Sequence, residues 1–280
     1  EEIFTTLWNC FQDLTDIESA KCEVKKLIKA QTHEGHNALH YLLKYNQNDA
    51  SFDDFVSVVQ EVMDNEEQKL LFKATEFDFR RNLFQFAACS KGRQNLLKSL
   101  WTFAKSIFSD DELFEFLIFK DQNDGDNALH LAVTMSHENF IKDFFNHLKE
   151  LENVESQKLL VKSRDDYENN IFHSACNSQY ENFELIATCL QDFVTKEEIK
   201  ELLSGRNLHG RNPLQQMAVF RDDDKLKEFY GTLKTFLNRV EIKKYFLTKD
   251  ASQMNVLQIS AGSNKTENFH STLAVSYTHL

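Results

Sequence analysis

The chain has 280 residues, with 32 Lys+Arg against 44 Asp+Glu and a formal net charge of −12. Its 41% hydrophobic content, including 25 Phe, excludes disorder of the bulk, and a chain this long hides roughly three quarters of its unfolded surface without staples. One Pro and seven Gly argue against an all-β fold, no apolar run exceeds four residues as a membrane span would, and the acidic balance without a Lys/Arg run argues against nucleic acid.

The dominant feature is an internal repeat. Asparagines stand at Asn37, Asn82, Asn127, Asn170, Asn212 and Asn255, at spacings of 45, 45, 43, 42 and 43 residues. Two places after each comes a large apolar residue: Leu39, Phe84, Leu129, Phe172, Leu214 and Leu257. Three places after comes His or Gln: His40, Gln85, His130, His173, Gln215 and Gln258. Small residues follow, as in Ala87-Ala88, Ala132-Val133 and Ala175-Cys176, although the first copy carries the bulkier Leu42-Leu43.

In chain order, residues 1–28 read as two helices of an earlier, truncated copy. Each later unit then predicts three helices. The first follows the anchor Asn. The second shows apolar residues at three and four residue steps: Phe52 to Val62, Leu96 to Ile107, Phe140 to Leu151, Phe183 to Phe193 and Leu226 to Leu237. The third is shorter, with an acidic start in several copies: Glu66–Phe72, Asp110–Phe119, Glu155–Val161, Lys196–Leu203 and Val240–Leu247. Gly35, Gly125 and Gly210 each stand two places before an anchor, where a hairpin tip calls for positive φ. Copies with Arg80, Glu168 or Gln253 there must hold a strained turn or use another. The sixth copy is expected to stop within its second helix, which bounds the array at 29–273. Residues 275–280 break the periodicity and read as a non-native tail.

The run Asp121-Gln122-Asn123-Asp124-Gly125-Asp126-Asn127-Ala128-Leu129-His130-Leu131-Ala132-Val133 resembles the ankyrin repeat, whose pattern is Asp-x-x-Gly-x-Thr-Pro-Leu-His-x-Ala-Ala. Asn127 replaces the usual Thr and Ala128 the Pro, whereas Asn212-Pro213-Leu214-Gln215 keeps the Pro. Family repeats are nearer ~33 residues, so the extra length is assigned to the third helix. The resemblance implies an all-α solenoid of stacked helix pairs, with hairpin loops along one edge, that binds other proteins. It also implies that the repeat signature residues Leu39, His40, Leu129, His130, Phe172, His173, Leu214, Gln215, Leu257 and Gln258 are structural, the His hydrogen-bonding the backbone of adjacent turns.

The residues agree with that assignment. Gln replaces His in three of six copies, which a hydrogen-bonding role tolerates and a metal or proton-transfer role does not. His33, His36 and His40 form the tightest His cluster, but no acidic or Cys partner at a fixed spacing completes a metal set. No nucleophile elbow, phosphate loop or dinucleotide fingerprint occurs, so neither catalysis, nor a cofactor, nor a metal is expected. Five Cys in no zinc-like spacing read as buried free thiols, and the Asn264-Lys265-Thr266 sequon carries little weight. Partner binding falls to the tips: Phe77, Phe79, Arg80, Asp124, Asp126, Tyr167, His209 and Arg211 are the candidates, the aromatics being the type enriched in binding hot spots. The net charge suits basic partner segments. The expected role is a cytoplasmic protein-binding scaffold, with partner unnamed and no membrane insertion by this segment. The alternatives are the cytosolic region of a membrane protein such as a TRP-type cation channel, or the targeting region of a larger enzyme.

Overall fold

The structure, a computed structural model, describes residues 3–45, 49–90, 96–135, 137–220 and 223–262. Among them are eighteen α-helices and no strand. The helices fall into three rows. First helices are α3 (Ala38–Tyr45), α6 (Leu83–Cys89), α9 (Ala128–Met135), α12 (Ile171–Asn177), α15 (Pro213–Phe220) and α18 (Val256–Gly262). Second helices are α1 (Ile3–Leu14), α4 (Asp49–Val62), α7 (Leu96–Ile107), α10 (Glu138–Leu148), α13 (Phe183–Leu190) and α16 (Asp223–Phe236). Third helices are α2 (Ile17–Lys29), α5 (Asn65–Phe72), α8 (Asp110–Ile118), α11 (Val154–Val161), α14 (Lys196–Ser204) and α17 (Arg239–Leu247). Successive members of the first two rows pack on each other, α6 against α9 and α1 against α4 for example. The element order thus begins with a second and a third helix, α1 and α2.

Short helices of seven or eight residues are unstable alone, and the inner first helices survive because they are enclosed. Ile171 to Cys176 of α12 are all buried, as are Ala128 to Val133 of α9. The small pair allows the close approach: Ala87, Ala132 and Ala175 face neighbours at 5%, 0% and 1% exposure. The apolar stripe of the second helices closes the core, with Phe52, Leu97, Ile141 and Phe183 fully covered. Four residues read as helical, Phe119, Leu151, Phe193 and Leu237, lie past the ends of α8, α10, α13 and α16; Leu151 and Phe193 remain buried.

Third helices begin at a side-chain cap: Asp16, Asp64, Ser109, Asn153, Thr195 and Asn238. In four of them a Glu three places on completes a reciprocal capping box, through Glu67, Glu112, Glu198 and Glu241. The same carboxylates receive a Lys from the preceding third helix. Lys25 and Lys29 reach Glu67 at 2.6 and 2.9 Å, Lys69 reaches Glu112 at 2.8 Å, and Lys162 reaches Glu198 at 2.9 Å. Hydrogen bonds from these lysines, foremost among the causes, hold the Glu67 carboxyl down at about 2. The ladder breaks where Ser156 replaces the Glu.

The cysteine expectation needs correction. Cys176 is buried, Cys89 and Cys189 are half-buried, and Cys10 and Cys22 are exposed. Cys10 stands in the column of the buried Val58, Phe103 and Thr232, whereas Cys22 stands in the column of Leu70 and Leu159, which are exposed in their own units. No helix among the described residues is long and apolar enough to cross a membrane. The second helix expected for the sixth copy, the sequon and the 275–280 tail lie outside the described residues.

Candidate functional site

The signature residues form one hydrogen-bond unit, repeated along the stack. Each anchor Asn caps its first helix: the Asn82 and Asn170 side chains accept from Gln85 N at 3.1 Å and His173 N at 3.2 Å. The residue three places on returns the bond, Gln85 Oε1 accepting from Asn82 N at 2.9 Å and His173 Nδ1 accepting from Asn170 N at 3.3 Å. The Asn amide also donates to the end of its own third helix, at Leu71 O, Phe116 O and Leu202 O for Asn37, Asn82 and Asn170. The other end of His or Gln reaches the following copy. Gln85 Nε2 donates to Asp126 O at 2.7 Å, His173 Nε2 to Arg211 O at 2.9 Å and Gln215 Nε2 to Met254 O at 3.2 Å. His130 Nε2 donates instead to Ser163 O at 3.3 Å. Gln and His are interchangeable here because each supplies one acceptor and one donor at opposite ends. Burial drives the imidazoles neutral, to about 3 at His40 and about 4 at His130 and His173. His40 differs in that its buried Nε2 has no hydrogen-bond partner among the described residues. In the sixth copy Gln258 is exposed and Leu257 only half-buried.

Between copies the chain makes hairpins whose tips project from one edge. Arg80, Glu168 and Gln253 take the same turn as the glycines, with φ of 52°, 59° and 62° against 79°, 72° and 67° at Gly35, Gly125 and Gly210. The strained alternative is therefore the one adopted, at about 1 kcal/mol per residue. One polar side chain per hairpin organises it, a role the sequence pattern did not disclose. Asp121 Oδ1 accepts from the amides of Asn123, Asp124 and Asp126, and Glu76 from those of Asp78, Phe79 and Arg81. Asp165, Asn207, Asp250 and, with its hydroxyl, Thr32 repeat the arrangement. This column was legible only in part, because it stands five places before the anchor in four copies and six in the other two.

Adjacent hairpins are joined by one backbone hydrogen bond each. Phe77 N donates to Glu34 O, Gln122 N to Phe79 O, Asp166 N to Asp124 O, Leu208 N to Tyr167 O and Ala251 N to His209 O, at 2.8 to 3.0 Å. Two arginines staple the later hairpins. Arg164 donates to Glu168 O and Arg206 O, and Arg206 to Gly210 O and Lys249 O. Their spacing of 42 residues is the repeat period, the signal that would have revealed them.

The structure divides the candidate partner residues. Phe77, Phe79 and Tyr167 are 60%, 39% and 46% exposed, and Arg80 and His209 are exposed beside them. The Arg81 guanidinium covers one face of the Phe79 ring at 4.5 Å. Asp124 is half-buried. Asp126 and Arg211, one place before an anchor, point along the stack at the next organiser rather than outward. Arg211 meets Asp250 at 3.4 Å, as Arg81 meets Asp121 at 3.0 Å. Asp126 faces the like-charged Asp165, and burial first, with Asp165, Asp121 and Asp124 next, pushes its carboxyl up to about 7. Of the His cluster, His36 lies with its ring against His40 at 5.4 Å and its Nδ1 3.1 Å from Glu34.

No protein-family profile matches the chain, and no curated protein matches it in sequence. Its shape matches solved structures. A chain of the complex between the Bd0816 predatory endopeptidase from Bdellovibrio bacteriovorus and the immunity protein Bd3460 superposes with a TM-score of 0.51 at 16% identity, over 88% of this chain and 99% of that one. The human ASB11 ankyrin repeat domain superposes with a TM-score of 0.53 at 11% identity, over 93% and 97%. With the stacked helix rows and the laddered hairpins, these likenesses show that the chain has the fold of an ankyrin-repeat solenoid, with a third helix in each of the five units whose three helices are described.

Proposed function

We propose that this solenoid is a protein-binding scaffold without chemistry of its own, presenting its hairpin tips to a partner protein. In this reading the scaffold is residues 29–273, with 1–28 as the second and third helices of a further copy. The observation that carries it is the exposure of Phe77, Phe79 and Tyr167 on hairpins whose backbones are already fixed by organiser carboxylates and inter-tip hydrogen bonds. An aromatic ring held on a rigid support loses little entropy on binding, and burying it supplies large contact area. Arg80 and His209 add donors beside those rings, while Asp126 and Arg211 serve by holding the hairpins in place.

The test is affinity capture with the immobilised full chain, alongside the Phe77→Ala/Phe79→Ala/Tyr167→Ala variant. The reading requires a protein retained by the parent and lost by the variant at unchanged helicity. Equal retention by both sinks it.

A further inference from the structure

We propose that the N-terminal end of the stack is a docking face for one more hairpin and first helix of the repeat's own pattern. The five equivalent positions inside the stack say what covers it. Counted back from the third-helix caps, Leu7 of α1 stands in the column of Phe55, Leu100, Phe144, Ile186 and Phe229. Those five are at most 3% exposed, each in a unit that carries a first helix packed on its second, whereas Leu7 is 52% exposed. Among the described residues no first helix precedes α1. A groove of about 210 Å³ remains there, lined among others by Phe4, Leu7, Trp8, Leu27, Ala38 and Phe55. Trp8 is 2% exposed, and its buried Nε1 has no hydrogen-bond partner among the described residues.

The face continues across the other two layers. On α3, Tyr41 is 42% exposed, while its counterpart Phe86 lies under the preceding unit's His36 and His40 rings at 5.2 and 5.1 Å, and Leu131 is 1% exposed. In the hairpin row, the His33 amide corresponds to those of Phe77, Gln122, Asp166, Leu208 and Ala251, all of which donate to the preceding tip. Among the described residues His33 N has no acceptor. An apolar slot, an aromatic face and one backbone donor, in the register of the repeat, fit a single occupant. It is a helix of seven or eight residues with a large apolar side chain two places after its capping Asn and His or Gln three places after, led by a positive-φ hairpin.

The test grafts residues 121–137 of this chain directly ahead of Glu1. This keeps the register of the third copy, since Glu138 and Glu1 both stand fifteen residues before a third-helix cap, Asn153 and Asp16. The expected result is a melting temperature about 5 °C higher, with at least a tenfold slowing of hydrogen exchange at the His33 amide. Both effects are expected to vanish when Leu129→Asp is introduced within the graft alone. A graft that neither stabilises nor protects, or whose effects survive that substitution, overturns the proposal. So does concentration-dependent self-association of the parent chain that Leu7→Glu abolishes, because the occupant would then be a second copy.

Discussion

Asn170 and His173 cap each other. The Asn170 side chain accepts from His173 N at 3.2 Å, His173 Nδ1 accepts from Asn170 N at 3.3 Å, and His173 Nε2 then donates across the junction to Arg211 O at 2.9 Å. The neutral ring is what fits. We expect His173→Gln to be nearly neutral, because Gln fills this column in three copies, and His173→Leu to cost about 1–3 kcal/mol by leaving buried backbone groups unpaired. Urea titration of both variants separates them.

The same geometry sets a pH dependence. His40, His130 and His173 have folded-state values of about 3, 4 and 4, below the ordinary 6.5. The unfolded chain therefore binds more protons below pH 6.5, and stability falls as pH drops from 6.5 toward 4, by up to about 1.4 kcal/mol per pH unit for each histidine. Replacing all three with Gln is expected to flatten the melting temperature over that window; an unchanged slope would contradict the assignment.

Asp126 works in the opposite sense. Its folded-state value of about 7 lies above the ordinary 3.8, so its contribution is present below pH 3.8 and lost as pH rises through 7. Asp121, Asp124 and Asp165 raise it, Arg81 opposes them, and His130 Nδ1 is 3.8 Å away. We expect Asp126→Asn to stabilise the chain at pH 8, with the difference shrinking to nothing near pH 4, as read by calorimetry at both pH values.

Substitutions in the hairpin column should follow φ. Glu168→Gly relieves a φ of 59° and should stabilise by about 1 kcal/mol, its exposed pairing with Arg164 contributing little. Gly125→Ala should destabilise, because φ is 72° and an added Cβ would meet the Asp166 carboxylate at 2.2 Å. Thermal melts that rank the two the other way would refute the reading.

Core and tip should separate cleanly. Leu129 is 1% exposed, and Leu129→Asp places a charge in the first-helix row, which should cost at least about 3 kcal/mol and break the middle of the stack. Phe79 is 39% exposed, and Phe79→Ala should leave the melt within a few degrees while weakening partner binding. Indistinguishable circular dichroism melts would remove the distinction between core and tip.

The sequence by itself determined the repeat, the helix rows and the positive-φ column. Each depends on local chemistry that recurs at a fixed spacing: a capping Asn, an apolar residue two places on, a Gly before the turn. Even Arg80, Glu168 and Gln253 could be placed in that column before their φ was known. What only the tertiary structure decided concerns neighbours in the adjacent unit, 39 residues away in the pairs that follow. Asp126 and Arg211 read as tip residues, yet they turn along the stack to Asp165 and Asp250, and Asp126 is left beside a like charge. Cys10 and Cys22 read as core thiols, yet both are exposed, Cys22 on a helix face that Leu70 and Leu159 also turn to solvent in their own units. Periodicity states which face of a helix is apolar. Whether that face is covered depends on what the adjacent unit presents, and this is settled only when the units stack.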